Sequence, residues 1–185
     1  MNNLPELSSN QFIWNGKIGY SGSLIKRTIP STLNIYTHYG LIYGFDKNGI
    51  LWIIENNQNG VECVTFKDFL AGNPNYAIEP LADASKSWSI LLRVFERSSL
   101  KYDKRYNNCD HFVNYALYGV AKSIQTEITE NIVNFTLTVA EISSRDPKHK
   151  KVLKMLNDLR KTLNLPKQSE TKNKSKYSSK KLKGK

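Results

Sequence analysis

The hydrophobic period of this chain changes once along its length, and that change limits the folds open to it. Up to about Leu81 apolar residues alternate at period two, and from Ser85 they recur at spacings of three and four. Asn34 to Phe45 alternates, with Tyr36, His38, Gly40 and Ile42 on one face and Thr37, Tyr39, Leu41 and Tyr43 on the other. Asp46-Lys47-Asn48-Gly49 has the residue types of a hairpin turn, and Ile50 to Asn56 reads as the returning strand. Asn57 to Gly60 is a second turn and Val61 to Phe66 a third strand, which completes a meander. Before it, Gly22-Ser23-Leu24-Ile25-Lys26-Arg27 reads as a turn entering a short strand. After it, Thr65-Phe66-Lys67-Asp68 has capping-box spacing for a short helix that stops at Gly72, and Tyr76 to Leu81 makes a further strand.

The helical part begins with Ser85 to Ser98, where Trp88, Leu91, Leu92 and Phe95 predict one apolar face. A second helix runs from about Cys109 to Tyr118 and meets Gly119. Ile124, Ile128, Ile132, Phe135, Val139 and Ile142 form a stripe ended by Asp146-Pro147, and Val152, Met155, Leu156, Leu159 and Leu163 form a last one before Pro166. Strands followed by helices in 185 residues predict an α+β fold: an antiparallel β-meander packed against helices, with two C-terminal amphipathic helices expected to pack back on the domain.

Charge is distributed unevenly. Residues 166–185 hold eight lysines against Glu170 alone, which puts +7 of the net +11 into twenty residues and leaves +4 for the other 165. That segment lacks the apolar residues to offset its ordering entropy, so it reads as a disordered, solubilising tail. Clustered lysines also attract anionic surfaces, which makes peripheral contact with an anionic membrane the second expectation. Nucleic acid fits less well, because Tyr177 is the only residue of the tail that stacks on bases. Met1 to Asn10 has neither a basic start nor an apolar run, and no stretch reaches the roughly 20 apolar residues that span a bilayer. Two cysteines, Cys63 and Cys109, are too few for a disulfide framework, although a single bridge between them stays open. A soluble cytoplasmic protein, peripheral to a membrane at most, is the expectation.

Asn107-Asn108-Cys109-Asp110-His111-Phe112 carries the chemistry, because a polar loop there delivers a lone cysteine onto the start of a helix. A thiol beside unpaired helix N–H groups loses its proton more easily, and the thiolate is the reactive form. A nucleophile also needs a base, and His38 stands in mid-strand. An imidazole in that role needs a third polar group to fix its tautomer. Either Glu55 or Asn56 on the returning strand can reach it, and Glu55 would also stabilise the imidazolium. On spacing alone, a strand histidine is more often structural than catalytic. Cys63 reads as a small buried residue among apolar neighbours. No Cys-x-x-Cys or His-x-x-x-His spacing supports a metal site.

These residues resemble the lecithin:retinol acyltransferase-like family, a circularly permuted branch of the NlpC-type papain-like thiol enzymes. The resemblance rests on Gly22-Ser23-Leu24-Ile25, on Thr37-His38-Tyr39-Gly40-Leu41-Ile42-Tyr43 and on Trp52-Ile53-Ile54-Glu55-Asn56. It continues through Gly60-Val61, Phe69-Leu70-Ala71-Gly72, Tyr102, Asn108-Cys109-Asp110-His111-Phe112, Gly119 and Lys122-Ser123-Ile124-Gln125, and so spans residues 20–126. It divides the chain into a lead-in (1–19), a catalytic domain (20–126), a helical extension (127–165) and the lysine-rich tail (166–185).

The resemblance implies a permuted papain-like fold, Cys109 as nucleophile and His38 as the histidine that activates it. Where vertebrate relatives usually carry a second histidine this chain has Glu55, with Asn56 as second choice for the orienting role. Ser23 replaces an acid often seen in the opening turn and is taken as structural, as is His111. The implied reaction is acyl transfer or hydrolysis through a thioester on Cys109, without metal or organic cofactor. The acyl donor implied is a lipid ester such as a phospholipid. A cysteine peptidase or amidase using the same pair is the alternative, and a non-catalytic binding module is the reading from a different class.

Overall fold

The computed structural model describes residues 4–29 and 36–142, with 154, 157 and 158. The protein is mixed α+β. Seven strands form one sheet: β1 (Leu7–Ser9), β2 (Gln11–Trp14), β3 (Lys17–Thr28), β4 (Thr37–Asp46), β5 (Leu51–Asn57), β6 (Gly60–Thr65) and β7 (Tyr76–Leu81). The helices are α1 (Phe66–Leu70), α2 (Ser85–Arg97), α3 (Cys109–Tyr118) and α4 (Ile124–Ile142). Residues up to Gln125 make one compact unit and those from Thr126 a second.

Within the first unit every strand pairing is antiparallel, in the order β2-β3-β4-β5-β6, with β1 added to β4 and β7 to β3. The expected meander is β4-β5-β6. Its first turn is tied by Asp46, whose Oδ1 accepts from the amides of Asn48 and Ile50, both at 2.9 Å. Its second is tied by Asn57, whose Oδ1 accepts from the Asn59 amide at 2.8 Å. Thr65 caps α1 by accepting from the Asp68 amide, so the third strand ends at Thr65 and Phe66 already belongs to the helix.

Within the N-terminal residues, β1 and β2 enter the sheet, two strands that the alternation of the sequence does not single out. Gly22 also does not open a turn. It lies inside the twelve-residue β3 at φ +92°, where the register against β7 shifts between Tyr20 and Leu24. That is a bulge, and only glycine adopts such a φ freely. The neighbouring Ser23 is structural: buried, it donates to the Tyr20 carbonyl at 2.6 Å and accepts from the Leu81 amide at 2.8 Å.

The two faces of the sheet carry separate apolar cores. On one face Leu41, Ile54 and Val61 pack with Ile90 and Val94 of α2 and with Phe112, Val113 and Ala116 of α3. On the other, Ile25, Ile42, Ile53 and Ile78 pack with Phe12 and with Phe69 of α1. The buried face of α2 corrects the expectation from its periodicity. Ser87, Ile90 and Val94 are buried, whereas Trp88, at 67% exposure, Leu92 and Phe95 are exposed. Two apolar stripes overlap on this helix, and the narrower side chains face the sheet and α3. Cys63 and Cys109 are both free thiols, so no bridge joins them. In the second unit α4 has Ile128 and Ile132 exposed and Val133 buried. No helix among the described residues is long and apolar enough to cross a membrane. The last predicted helical stripe, apart from isolated positions, and the lysine-rich tail lie outside the described residues.

Candidate active site

The start of α3 is built by its preceding loop. Asp103 Oδ1 accepts from the amides of Arg105 and Tyr106, both at 2.8 Å, and Asp103 and Asn107 form an isolated antiparallel bridge. Asn107 Nδ2 donates to the Lys101 carbonyl at 2.8 Å. Asn108 is then the N-cap: its Oδ1 accepts from the amides of Asp110 and His111, both at 3.0 Å. The cap therefore serves the second and third amides of the helix. The amide of Cys109, the first helical residue, belongs to the set that a helix leaves without an internal partner. His111 Nδ1 also lies 3.0 Å from Asn108 Oδ1, so this buried ring braces the cap, in keeping with a structural role.

His38 enters from β4. Gly40 pairs directly with Glu55 of β5, so His38 stands diagonally across from Glu55 on the same face of the ladder. That diagonal closes a contact of 2.6 Å between His38 Nε2 and Glu55 Oε2, with both side chains largely buried. Phe69 stacks on the imidazole, the ring centroids 5.4 Å apart and the planes inclined by 27°. Gly40 makes room for this stack: a Cβ there would lie 2.9 Å from Phe69 Cε2 and 2.8 Å from Ile53 Cγ2. Arg27, the register partner of His38 on β3, lays its guanidinium over the Phe69 ring, 5.6 Å from the centroid.

Cys109 and His38 come together although they are on different elements. Cys109 is close enough to His38 to raise the ionisation of the imidazole. Its Sγ also lies 4.0 Å from the carbonyl of Thr37, the residue before His38. Burial alone would lower the ionisation of His38, but the proximity of Cys109 and the bond and charge of Glu55 outweigh it, raising the histidine to about 9. Glu55 is held below the usual carboxylate range: burial works against its charge, and the bond to His38, the charge of His38 and a bond from Asn57 prevail. Its second oxygen, Oε1, accepts from Asn57 Nδ2 at 2.7 Å, and that same nitrogen reaches Glu62 Oε2 at 2.8 Å. Burial, with Cys109 and Asp103 nearby, pushes Tyr102 up to about 12, and burial with Asp110 nearby raises Tyr39.

Asn56, the second candidate for the orienting role, does something else. It is fully buried on the opposite face, where Nδ2 donates to the Asn107 carbonyl at 2.9 Å. It therefore holds the loop that presents Cys109 and does not contact His38. Cys63, on β6, packs beside the first core, and burial pushes its thiol up to about 12. Among the described residues no group of histidine, cysteine and acidic side chains could hold a metal ion.

The sequence reading did not assign a role to Asp110 and Gln125. Gln125 Oε1 accepts from the Thr37 amide at 2.8 Å, and its Nε2 donates to the Thr37 carbonyl at 3.0 Å. Asp110 Oδ2 accepts from the Gln125 amide at 3.2 Å and from Ser123 Oγ at 2.9 Å. No local pattern announces this pairing, because it spans 88 residues of chain. Compared with protein-family models, with curated proteins and with solved structures, the chain matches none.

Proposed function

We propose that this protein is a thiol-dependent acyltransferase or hydrolase that carries its acyl group on Cys109. The observation that carries the reading is the set Cys109, His38 and Glu55, with a free thiol at a helix start 4.0 Å from the carbonyl of the residue before His38, and a carboxylate 2.6 Å from the imidazole. With Nε2 committed to Glu55, Nδ1 is the nitrogen left to exchange a proton with the thiol.

In the first half-reaction Sγ attacks an ester or amide carbonyl, its proton residing on the imidazole. Negative charge on the carbonyl oxygen meets the Cys109 amide and the N-terminal end of α3. Collapse of the adduct breaks the bond to the leaving alcohol or amine, which takes the proton from His38. In the second half-reaction His38 accepts a proton from water or an acceptor alcohol or amine as it attacks the thioester. The acyl product leaves, and sulfur recovers the proton. Glu55 holds the ring in one orientation and supports its positive form throughout.

We infer a permuted papain-like arrangement for the same domain. In papain-type enzymes the cysteine precedes the histidine along the chain, whereas here the histidine strand comes first. That order, with the Asn-Cys-acid-His-Phe box and the His-Tyr-Gly strand, supports the permuted papain-like arrangement and the lecithin:retinol acyltransferase-like resemblance. That resemblance makes a phospholipid the first donor to test. The lysine-rich tail offers peripheral attraction to an anionic bilayer.

The test is intact-mass detection of an acyl adduct after incubation with a short-chain phospholipid, with Cys109→Ala and His38→Ala alongside and released fatty acid measured in parallel. An acyl-sized gain, or released acid, that requires Cys109 supports the reading. Neither appearing would reject phospholipid as donor and bring forward small amides and peptides for the same pair.

A further inference from the structure

We propose that Gln125 is a positioning residue, which fixes the separation of Cys109 and His38 by gripping both backbone groups of Thr37 while its own main chain is anchored to Asp110. The inference rests on Cys109 and His38 being the working pair.

The two partners reach each other from α3 and β4, elements far apart along the chain. Thr37 immediately precedes His38, and Asp110 immediately follows Cys109. Gln125 touches both. Its carboxamide is an acceptor and a donor on one carbon, so it satisfies the Thr37 amide at 2.8 Å and the Thr37 carbonyl at 3.0 Å together. That carbonyl belongs to the peptide that runs into His38, and it is the same oxygen that Cys109 Sγ approaches at 4.0 Å.

The other end of the connection is equally well held. Asp110, which is buried, takes the Gln125 amide and Ser123 Oγ on Oδ2, and Asn114 Nδ2 on Oδ1 at 2.9 Å. Asn114 Nδ2 also donates to the Lys122 carbonyl at 2.8 Å, which pins the segment leading to Gln125 onto α3. The path His38–Thr37–Gln125–Asp110–Cys109 thus consists of covalent neighbours and short hydrogen bonds. It ties the backbone beside His38 to the backbone beside Cys109. A methionine at 125 would fill the same volume and make none of these side-chain bonds.

Two readouts separate positioning from mere stabilisation. The first is the titration of the His38 ring by NMR. Its ionisation is raised by Cys109 from α3 and by Glu55 from β5, and Arg27 of β3 also bears on Glu55. In folded Gln125→Met the Cys109 contribution is expected to be lost, lowering the His38 midpoint by about one pH unit or more, with Glu55 still in place. Gln125→Glu keeps the acceptor for the Thr37 amide and loses the donor, and is expected to fall between the two. A midpoint equal to wild type in whichever of the two variants folds would overturn the proposal. The second readout needs no variant: the Thr37 amide of wild type should exchange slowly with solvent, and fast exchange would equally overturn it. Neither depends on the acyl donor, so a protein with no detectable acyl transfer still gives a decision. Where turnover is measurable, Gln125→Met is expected to lower kcat by about 10²-fold with KM nearly unchanged, the signature of a misplaced reacting group.

Discussion

Glu55 reaches His38 diagonally across the β4–β5 ladder, closing on Nε2 at 2.6 Å, while its sequence neighbour Asn56 turns the other way to hold the Asn107 carbonyl. Two adjacent residues thus serve the two halves of one site. Glu55→Ala is expected to lower turnover by about 10²-fold or more while the fold persists, because the imidazole loses its orienting partner. Asn56→Ala should act mainly on stability, by about 1–3 kcal/mol, because the loop carbonyl loses a fully buried donor. Steady-state kinetics and denaturant unfolding on both variants check this, and equal wild-type rates for both would reject the triad.

The N-cap of α3 allows a separation of stability from chemistry. Asn108→Ala removes the acceptor of two amides and of His111 Nδ1 and should cost about 1–2 kcal/mol. Asn108→Asp keeps that acceptor, loses the 2.8 Å donation to the Lys104 carbonyl and adds a negative charge beside the expected oxyanion position. Its melting temperature should stay nearer wild type than that of the alanine variant, with a larger fall in kcat. The reverse ranking would remove the helix start from the mechanism.

Stability should depend on pH through His38. Its ionisation rises from the ordinary 6.5 to about 9 in the folded protein, so the native state binds more protons between those values. The contribution is complete below about 6.5 and disappears as pH rises through 9, giving a decline of up to about 3 kcal/mol across the window. Denaturant unfolding at intervals across that range measures it. His38→Gln should flatten the slope, and an unchanged slope in that variant would assign the decline to other groups.

The empty position above Gly40 is needed for the stack on the imidazole. Its φ is not positive, so alanine there is strained by space alone, 2.8 Å from Ile53 Cγ2 and 2.9 Å from Phe69 Cε2. Gly40→Ala should cost about 1–3 kcal/mol by overpacking and should displace Phe69 from His38. The ring-current shift of the His38 protons reports the displacement, and a wild-type spectrum with wild-type stability would refute it.

Much of this architecture is legible in the chain because its apolar periods are clean. The meander, the start and end of α3, and the bounds of α2 all follow from turn residues and spacing. The first hairpin is not announced by a long apolar run, yet Asn15-Gly16 between Gln11–Trp14 and Lys17 is a turn signal, and both residues adopt positive φ, 49° and 74°. The face of α2 is harder, since a stripe specifies amphipathicity and not which neighbour covers it. Trp88, Leu92 and Phe95 look like core and are exposed because Ile90 and Val94 fit the sheet and α3. The choice between Glu55 and Asn56 needs the register of β4 on β5, and the Thr37–Gln125 pairing needs closure of the whole unit. Neither quantity is encoded locally.

The unequal sequence distances within the site have a consequence for its order of assembly. His38 and Glu55 are 17 residues apart in paired neighbouring strands, whereas Cys109 meets the Thr37 carbonyl across 72. Loops of that difference close at different entropic cost, and local pairings form sooner. Cys109 should therefore remain open to a thiol reagent during refolding until after the β4–β5 amides are protected, and simultaneous protection of both would contradict this. During synthesis the same order is favoured, since His38 and Glu55 are made before Cys109. The Cys109 thiol should thus arrive at a His38–Glu55 pair that is already in place.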